Sequence, residues 1–221
     1  MKILLVEGQP GAGKTTYCEL ITKRLTSVGI QPAYVDEGTQ DASVFGDFWD
    51  VFPSDWRVVA RDLPSSWKRY ICGHAGRAGV HVFDNSLMNQ VQYLMILGAP
   101  MEAILGFFNE VTQSFSQIDV AMIFLDGHSE ALTNRAYESR QFGWGDRVAG
   151  LLERYPFQIE RNRTGRQGMT QFFADAQVLK RKLLSHWPYG IVRYDVTGGS
   201  CGDKASAIYD FLGVLGWNGT T

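Results

Sequence analysis

The chain predicts an α/β fold in three layers, a mainly five-stranded parallel sheet flanked by helices, within a single domain spanning 1–221. Three observations lead there. Short β-branched runs alternate with longer helical patterns, the signature of strand–helix–strand units. Two of the runs, "GVHVFD" and "DVAMIFLDG", are almost continuously apolar, as expected of strands covered on both faces. The length, 221 residues, suffices for one substantial core, since a domain of this size buries roughly 70% of its unfolded surface.

The elements follow in order. "KILLVE" is the first strand, broken at Glu7 and Gly8. The helix after it, "KTTYCELITKRLTSVG", sets Tyr17, Ile21, Leu25 and Val28 on one face and stops at Gly29. "QPAYVDEG" is the second strand, "GVHVFD" the third, "DVAMIFLDG" the fourth and "GIVRYDVTGG" the fifth. Before the fifth strand, Phe172, Phe173, Ala176, Leu179, Leu183 and Trp187 recur at helical spacing, a core-facing stripe. Residues 39–79 have weak periodicity but carry Trp49, Trp56 and Trp67, too aromatic for a disordered linker, and are expected to form an insertion.

Composition removes several classes. Apolar residues at 45% and charged residues at 20% are ordinary for a soluble globular chain, and a net charge of −2 gives no overall field toward nucleic acid or anionic membrane. Three separated cysteines, Cys18, Cys72 and Cys201, and four scattered histidines offer neither a disulfide frame nor a zinc spacing. The first apolar run is too short for a signal peptide and none later reaches membrane-spanning length, so a cytoplasmic protein is expected.

"GQPGAGKT" carries the chemistry. It matches G-x-x-x-x-G-K-[ST] through Gly8, Gly13, Lys14 and Thr15, between a strand and an amphipathic helix. Glycines let successive backbone N–H groups converge on one anion, and the helix N-terminus adds positive potential. Lys14 is placed for the β and γ phosphates and the Thr15 hydroxyl for Mg²⁺, with Pro10, Gly11, Ala12 and Thr16 completing the cradle for ATP. A Mg²⁺ ion held there needs a carboxylate at a neighbouring strand end, where Asp84 stands; the alternative for Asp84 is to cap the next helix. No NKxD or LSGGQ motif is present, and Asn85 rather than glutamate follows Asp84, which argues against switches and motors.

With "VEGQPGAGKTT", "YVDEG", "VFDNSLMNQ", "IFLDGHSEALTNRAYESR" and "YDVTGG" in this order, the chain resembles the P-loop kinases of the thymidylate and deoxynucleoside kinase group. It is more similar still to bacterial proteins of unassigned substrate that open E-G-x-P-G-x-G-K-[ST]-T. The resemblance implies a P-loop NTPase fold with a helical lid over 135–168, and an acidic residue after the second strand facing the acceptor, Glu37 in preference to Asp36, with a solvated turn over "DEGTQD" as the competing reading for both. It also implies lid arginines on the transferring phosphoryl group, Arg135 and Arg140, with Arg147 just beyond. For Arg135 an ion pair with Glu138 is the competing reading. "GWG" at 143–145 would supply hinges. The base of ATP would meet Thr197, Gly198 and Gly199, with Asp203 capping the last helix.

The acceptor side departs from that group. Its members usually carry an arginine beside the acidic residue after the third strand, where this chain has "DNS". Asn85, Asn89 and Gln90 are left for the acceptor, which suits an uncharged group there. Trp49, Trp56 and Trp67 could stack on a ring or fill the core, and Arg57, Arg61 and Arg69 could instead hold an anion. Arg161, Arg163 and Arg166 form a second basic cluster, in the lid or in a solvated loop, without the interleaved aromatics of a nucleic-acid site. The sequence therefore reads as an ATP- and Mg²⁺-dependent kinase of a small-molecule hydroxyl, with a regulatory ATPase acting on a protein partner as the alternative and a homodimer left open.

Overall fold

The computed structural model describes residues 1–36, 55–140, 143–198 and 201–217, without the side chains of 201–205. Five parallel strands make one sheet in the order β2-β3-β1-β4-β5. They are β1 (Lys2–Gly8), β2 (Ala33–Val35), β3 (Val80–Asp84), β4 (Asp119–Asp126) and β5 (Gly190–Asp195). The helices between them are α1 (Lys14–Ser27), α2 (Trp56–His74), α3 (Leu87–Ile96), α4 (Met101–Ser114), α5 (Ser129–Ser139), α6 (Trp144–Leu152), α7 (Pro156–Ile159), α8 (Gly165–Leu184) and α9 (Cys201–Val214). Among the described residues no helix is long and apolar enough to cross a membrane.

Alternation along the strands builds two cores. Ile3 and Leu5 of β1 and Phe83 of β3 face a core shared with α2, α3, α4 and α8, whereas Leu4, Val6, Val80 and Val82 face a second core with α1 and α9. The stripe on α8 is buried throughout, and fully burying each of Phe172 and Phe173 stabilises by about 1.5–3 kcal/mol. On α1, Tyr17, Ile21 and Leu25 are buried as expected, while Val28 serves as the C-cap.

The region expected to be an insertion over 39–79 contains a long core helix. Asp55 caps α2 by accepting from the Arg57 backbone N–H, and Val59, Leu63, Trp67 and Tyr70 make a buried stripe. Trp67 is wholly buried, packs against Phe83 and Phe115 with ring centroids 5.2 and 5.3 Å away, and donates to Gln90 Oε1 at 2.8 Å. It fills the core rather than an acceptor wall, and Gln90 is spent on it. Trp56 is half-buried beneath Arg57, and Trp49 lies outside the described residues. The arginines of α2 are exposed and turned to local partners: Arg57 to Asp55, Arg61 to Asp62 and Arg69 to Ser66.

The order of the sheet also places the site. From β1 the chain first lays β2 and β3 on one side, then β4 and β5 on the other. The crevice at such a switch point, outside the carboxyl ends of the strands, is where open α/β sheets bind ligands. The loop from Gly8 to Gly13 opens there.

Candidate functional site

The loop is shaped by its glycines. Gly11 and Gly13 take left-handed φ values of 84° and 85°. A side chain on Gly11 would meet the Leu132 carbonyl of α5 at 2.0 Å, so the loop presses on that helix where only glycine fits. Gln9 fastens the same contact, donating to the Ser129 carbonyl at 2.6 Å and accepting from its hydroxyl at 2.8 Å. Lys14, the first residue of α1, is buried and folds back to donate to the Gln9 carbonyl at 3.2 Å.

The Thr15 hydroxyl donates to Asp84 Oδ2 at 2.6 Å, and the Tyr34 hydroxyl on β2 reaches the same oxygen at 3.2 Å. Burial and the Asp84 carboxylate together push the Tyr34 phenol well above its ordinary value. Asp84 Oδ1 is buried and has no hydrogen-bond partner among the described residues. Asp84 does not cap α3: the N-cap is Ser86, and Asn85 turns the chain with a φ of 58°.

Arg135 donates to the carbonyls of Gly11, Val196 and Thr197 at 2.9–3.2 Å, tying the loop and the segment after β5 to α5. It makes no pair with Glu138. Arg140, at the end of α5, lies over the Trp144 ring, 4.6 Å from its centroid. Gly145, expected as a hinge, packs directly under the Tyr137 ring and has no room for a Cβ; Gly143 alone of the pair is left-handed, as the N-cap of α6. The second basic cluster is spent locally: Arg163 on Asp175, Arg166 on Asn134 and the Tyr137 ring, and Arg161 on Glu160 and the Phe157 ring.

Two cavities adjoin at the loop. One, of about 200 Å³, is lined by Gly11, Gly13, Lys14, Thr15, Asp84, Arg135 and Arg140. The other, of about 190 Å³, has amides from α3 and aromatic rings from α6 and α8 on its walls. Lys14 and Arg140 are the two residues common to both. Asn85 and Asn89 line the second cavity, whereas Gln90 does not. Asp36 stands just past β2, and Glu37 lies outside the described residues.

Two buried charges went unread in the sequence. Glu7 of β1 accepts from the Ser86 N–H and hydroxyl through Oε1, and burial pushes its carboxyl up to about 7 against the pull of Lys180 and Lys14. Lys180 of α8, 1% exposed, donates to Gln92 Oε1 at 3.1 Å. Each left a trace: a carboxylate in a strand buried on both faces, and a lysine four residues from Ala176 on an otherwise apolar stripe.

Thr197, expected at the base of ATP, accepts from the His128 N–H at 2.7 Å and lines a polar cavity of about 600 Å³ with Asp126, Arg181 and Arg193. Burial would raise the Asp126 carboxyl, but hydrogen bonds from Arg181, Arg193, the Gly127 N–H and Gln177 bring it down to about 2. Gly198 is exposed and Gly199 lies outside the described residues. Helix α9 starts at Cys201, so Asp203 lies inside it and is not the cap.

A solved structure of thymidylate kinase from Candida albicans superimposes with a TM-score of 0.63, covering 98% of this chain and 93% of that one. The chain shares the three-layer α/β fold of that enzyme. At 13% identity the likeness is one of fold. No protein-family profile matches the sequence, and neither does any curated protein. The five-stranded parallel sheet and its flanking helices match that fold.

Proposed function

We propose that the protein is an ATP-dependent kinase that transfers the γ-phosphoryl group to a hydroxyl of a small molecule. The observation that carries this reading is the pair of adjoining cavities with Lys14 and Arg140 on both. Two cations at a shared wall suit a group that must pass from one chamber to the other, because phosphoryl transfer depends mainly on positioning and charge neutralisation.

The backbone of Gly11 and Gly13 and the N-terminus of α1 would bind the phosphates of ATP, and Lys14 would leave the Gln9 carbonyl for the β and γ oxygens. The donor set fits magnesium: a threonine hydroxyl and a carboxylate that keeps one buried oxygen without a hydrogen bond, both hard oxygen ligands. Thr15 and Asp84 would hold the ion, which supplies neutralisation of phosphate charge when bound. As the bond from the acceptor oxygen to phosphorus forms, the bond to the bridging oxygen breaks and ADP leaves with the electron pair. The hydroxyl proton would pass to a carboxylate that follows β2 in the sequence, Asp36 or Glu37. Arg140 would follow the transferring group, while Arg135 holds the loop against the segment after β5.

A regulatory ATPase would use exposed tryptophans as its interface, but among the described residues every tryptophan is buried or half-buried. The test is ADP release with Mg·ATP against pooled nucleosides, sugars, hydroxy acids and antibiotics. The expected outcome is that one pool raises turnover far above the rate with water, and that Lys14→Ala abolishes it. A rate indifferent to every pool, with ATP bound, would sink the reading.

A further inference from the structure

A further cavity, of about 520 Å³, shares no lining residue with the two at the loop. Where α3 and α8 give Ile96 and Lys180 to the second cavity, they give the neighbouring Met95 and Leu179 to this one. The volume falls within the roughly 300–1,000 Å³ of small-molecule sites. Its walls are fixed by contacts of their own. Gly98 leaves α3 with a left-handed φ of 77°, and a Cβ there would stand 3.2 Å from the Pro156 Cβ, so the turn into α4 lies directly against the start of α7. The Gly98 and Ala99 N–H groups donate to the Met95 and Leu94 carbonyls, closing that turn. Gln158 of α7 donates to the Gly168 carbonyl of α8 at 2.9 Å and holds the opposite wall.

The floor is aliphatic, built from Met95, Met101, Ile104 and Leu179, and Val178 stands at the mouth with 64% of its surface exposed. Among the described residues Phe157 is the one ring on the wall, and its surface is taken. The Arg161 guanidinium lies 3.7 Å from its centroid, and the Phe172 ring meets it nearly perpendicular at 5.8 Å. A flexible chain suits such walls better than a planar ring, and unbranched methionines adapt to it. The rim adds charge. Of its two carboxylates, Asp175 is paired with Arg163 and Glu160 lies 3.6 Å from Arg161. Lys182 makes no ion pair and no side-chain hydrogen bond among the described residues. An anionic head group at the rim therefore meets an ammonium without displacing a partner.

We propose that this cavity binds a medium-chain aliphatic carboxylate, with its chain against Met95, Ile104 and Leu179 and its head group on Lys182. The site is separate from the phosphate loop and stands or falls independently of the kinase reading.

The probes are hexanoate, octanoate and decanoate, with 1-octanol as the uncharged match to octanoate, titrated calorimetrically into the full chain. Binding is expected at one site, tightening about threefold or more with each added methylene, as burial of a CH₂ group allows. Octanoate should bind about fivefold or more tightly than 1-octanol through its charge-assisted contact. Lys182→Met should bring octanoate to the level of 1-octanol and leave 1-octanol unchanged. Val178→Trp and Ala99→Trp fill the cavity from different walls, and each should weaken octanoate and 1-octanol about tenfold or more, with Tm retained as the measure that the fold persists. Binding that is absent or does not saturate at one site, ignores chain length, treats acid and alcohol alike, keeps its preference in Lys182→Met or survives either tryptophan would overturn the proposal.

Discussion

At the scale of single residues the loop is tightly constrained, and its constraints are tertiary. Gly11 fits the G-x-x-x-x-G pattern only as a variable position, yet its left-handed φ and the Leu132 carbonyl at 2.0 Å from any added Cβ make it obligatory. Gly11→Ala should cost about 1–3 kcal/mol in backbone strain alone and weaken ATP binding by roughly tenfold or more, read by calorimetry. An unchanged affinity would mean that α5 yields to the loop. Asp84→Asn keeps the shape and removes the charge beside Thr15. Activity should fall about 10- to 100-fold, with half-saturation at higher Mg²⁺ and little change in Tm. If the Mg²⁺ dependence stays put while Tm drops, Asp84 is a structural partner of Tyr34 and Thr15 only.

At the scale of elements, the two-residue period of β1 explains the position of Glu7. It shares parity with Ile3 and Leu5, so it projects into the core that α8 closes, toward Lys180. Its carboxyl is raised from an ordinary 4.5 to about 7, so the folded chain holds that proton more tightly than the unfolded one. This contribution to stability is therefore largest below about 4.5, declines as pH rises toward 7 and is level above it. Urea unfolding at pH 5 and pH 7.5 should show the decline in the wild type and lose most of it in Glu7→Gln; equal slopes in both proteins would assign it to other groups. The element least legible in the sequence was α2. Pro64 inside it and charged neighbours around its tryptophans mask a stripe of Val59, Leu63, Trp67 and Tyr70 that only packing against Phe83 and Phe115 makes plain.

At the scale of the whole molecule, Asp126 joins three elements that are distant in sequence. It ends β4, takes Arg193 from β5 and takes Gln177 and Arg181 from α8. Arg181 and Arg193 keep 43% and 52% of their side-chain exposure, so screening holds the value of these contacts near the low end of charged hydrogen bonds. Asp126→Asn should destabilise by about 1–2 kcal/mol, measured by denaturant unfolding at pH 7. Because the carboxyl is depressed from an ordinary 3.8 to about 2, its contribution is present above 3.8 and is lost as pH falls toward 2. Wild type and variant should therefore converge in acid, and a gap that persists at pH 2 would point to packing instead of charge.

By itself the sequence determined what repeats or lies close along the chain. The five strands, the α8 stripe and the glycine loop between β1 and α1 were all readable, because period-two and period-3.6 burial and a glycine loop between strand and helix are local patterns. Thr15 and Asp84 were paired through a strand-end rule, and their hydrogen bond spans 69 residues. Tertiary structure alone decided which polar residues face a cavity and which are consumed. Trp67 took Gln90 away from the acceptor side, Arg135 was turned onto three carbonyls, and Gly145 became a packing surface rather than a hinge. The physical reason is that a polar or aromatic side chain carries no periodic signature of its own; its role is fixed by which partner the fold brings within hydrogen-bond or van der Waals reach. Lys180 is the clearest case, a charge on an apolar stripe whose meaning appears only when Gln92 and Glu7 close around it.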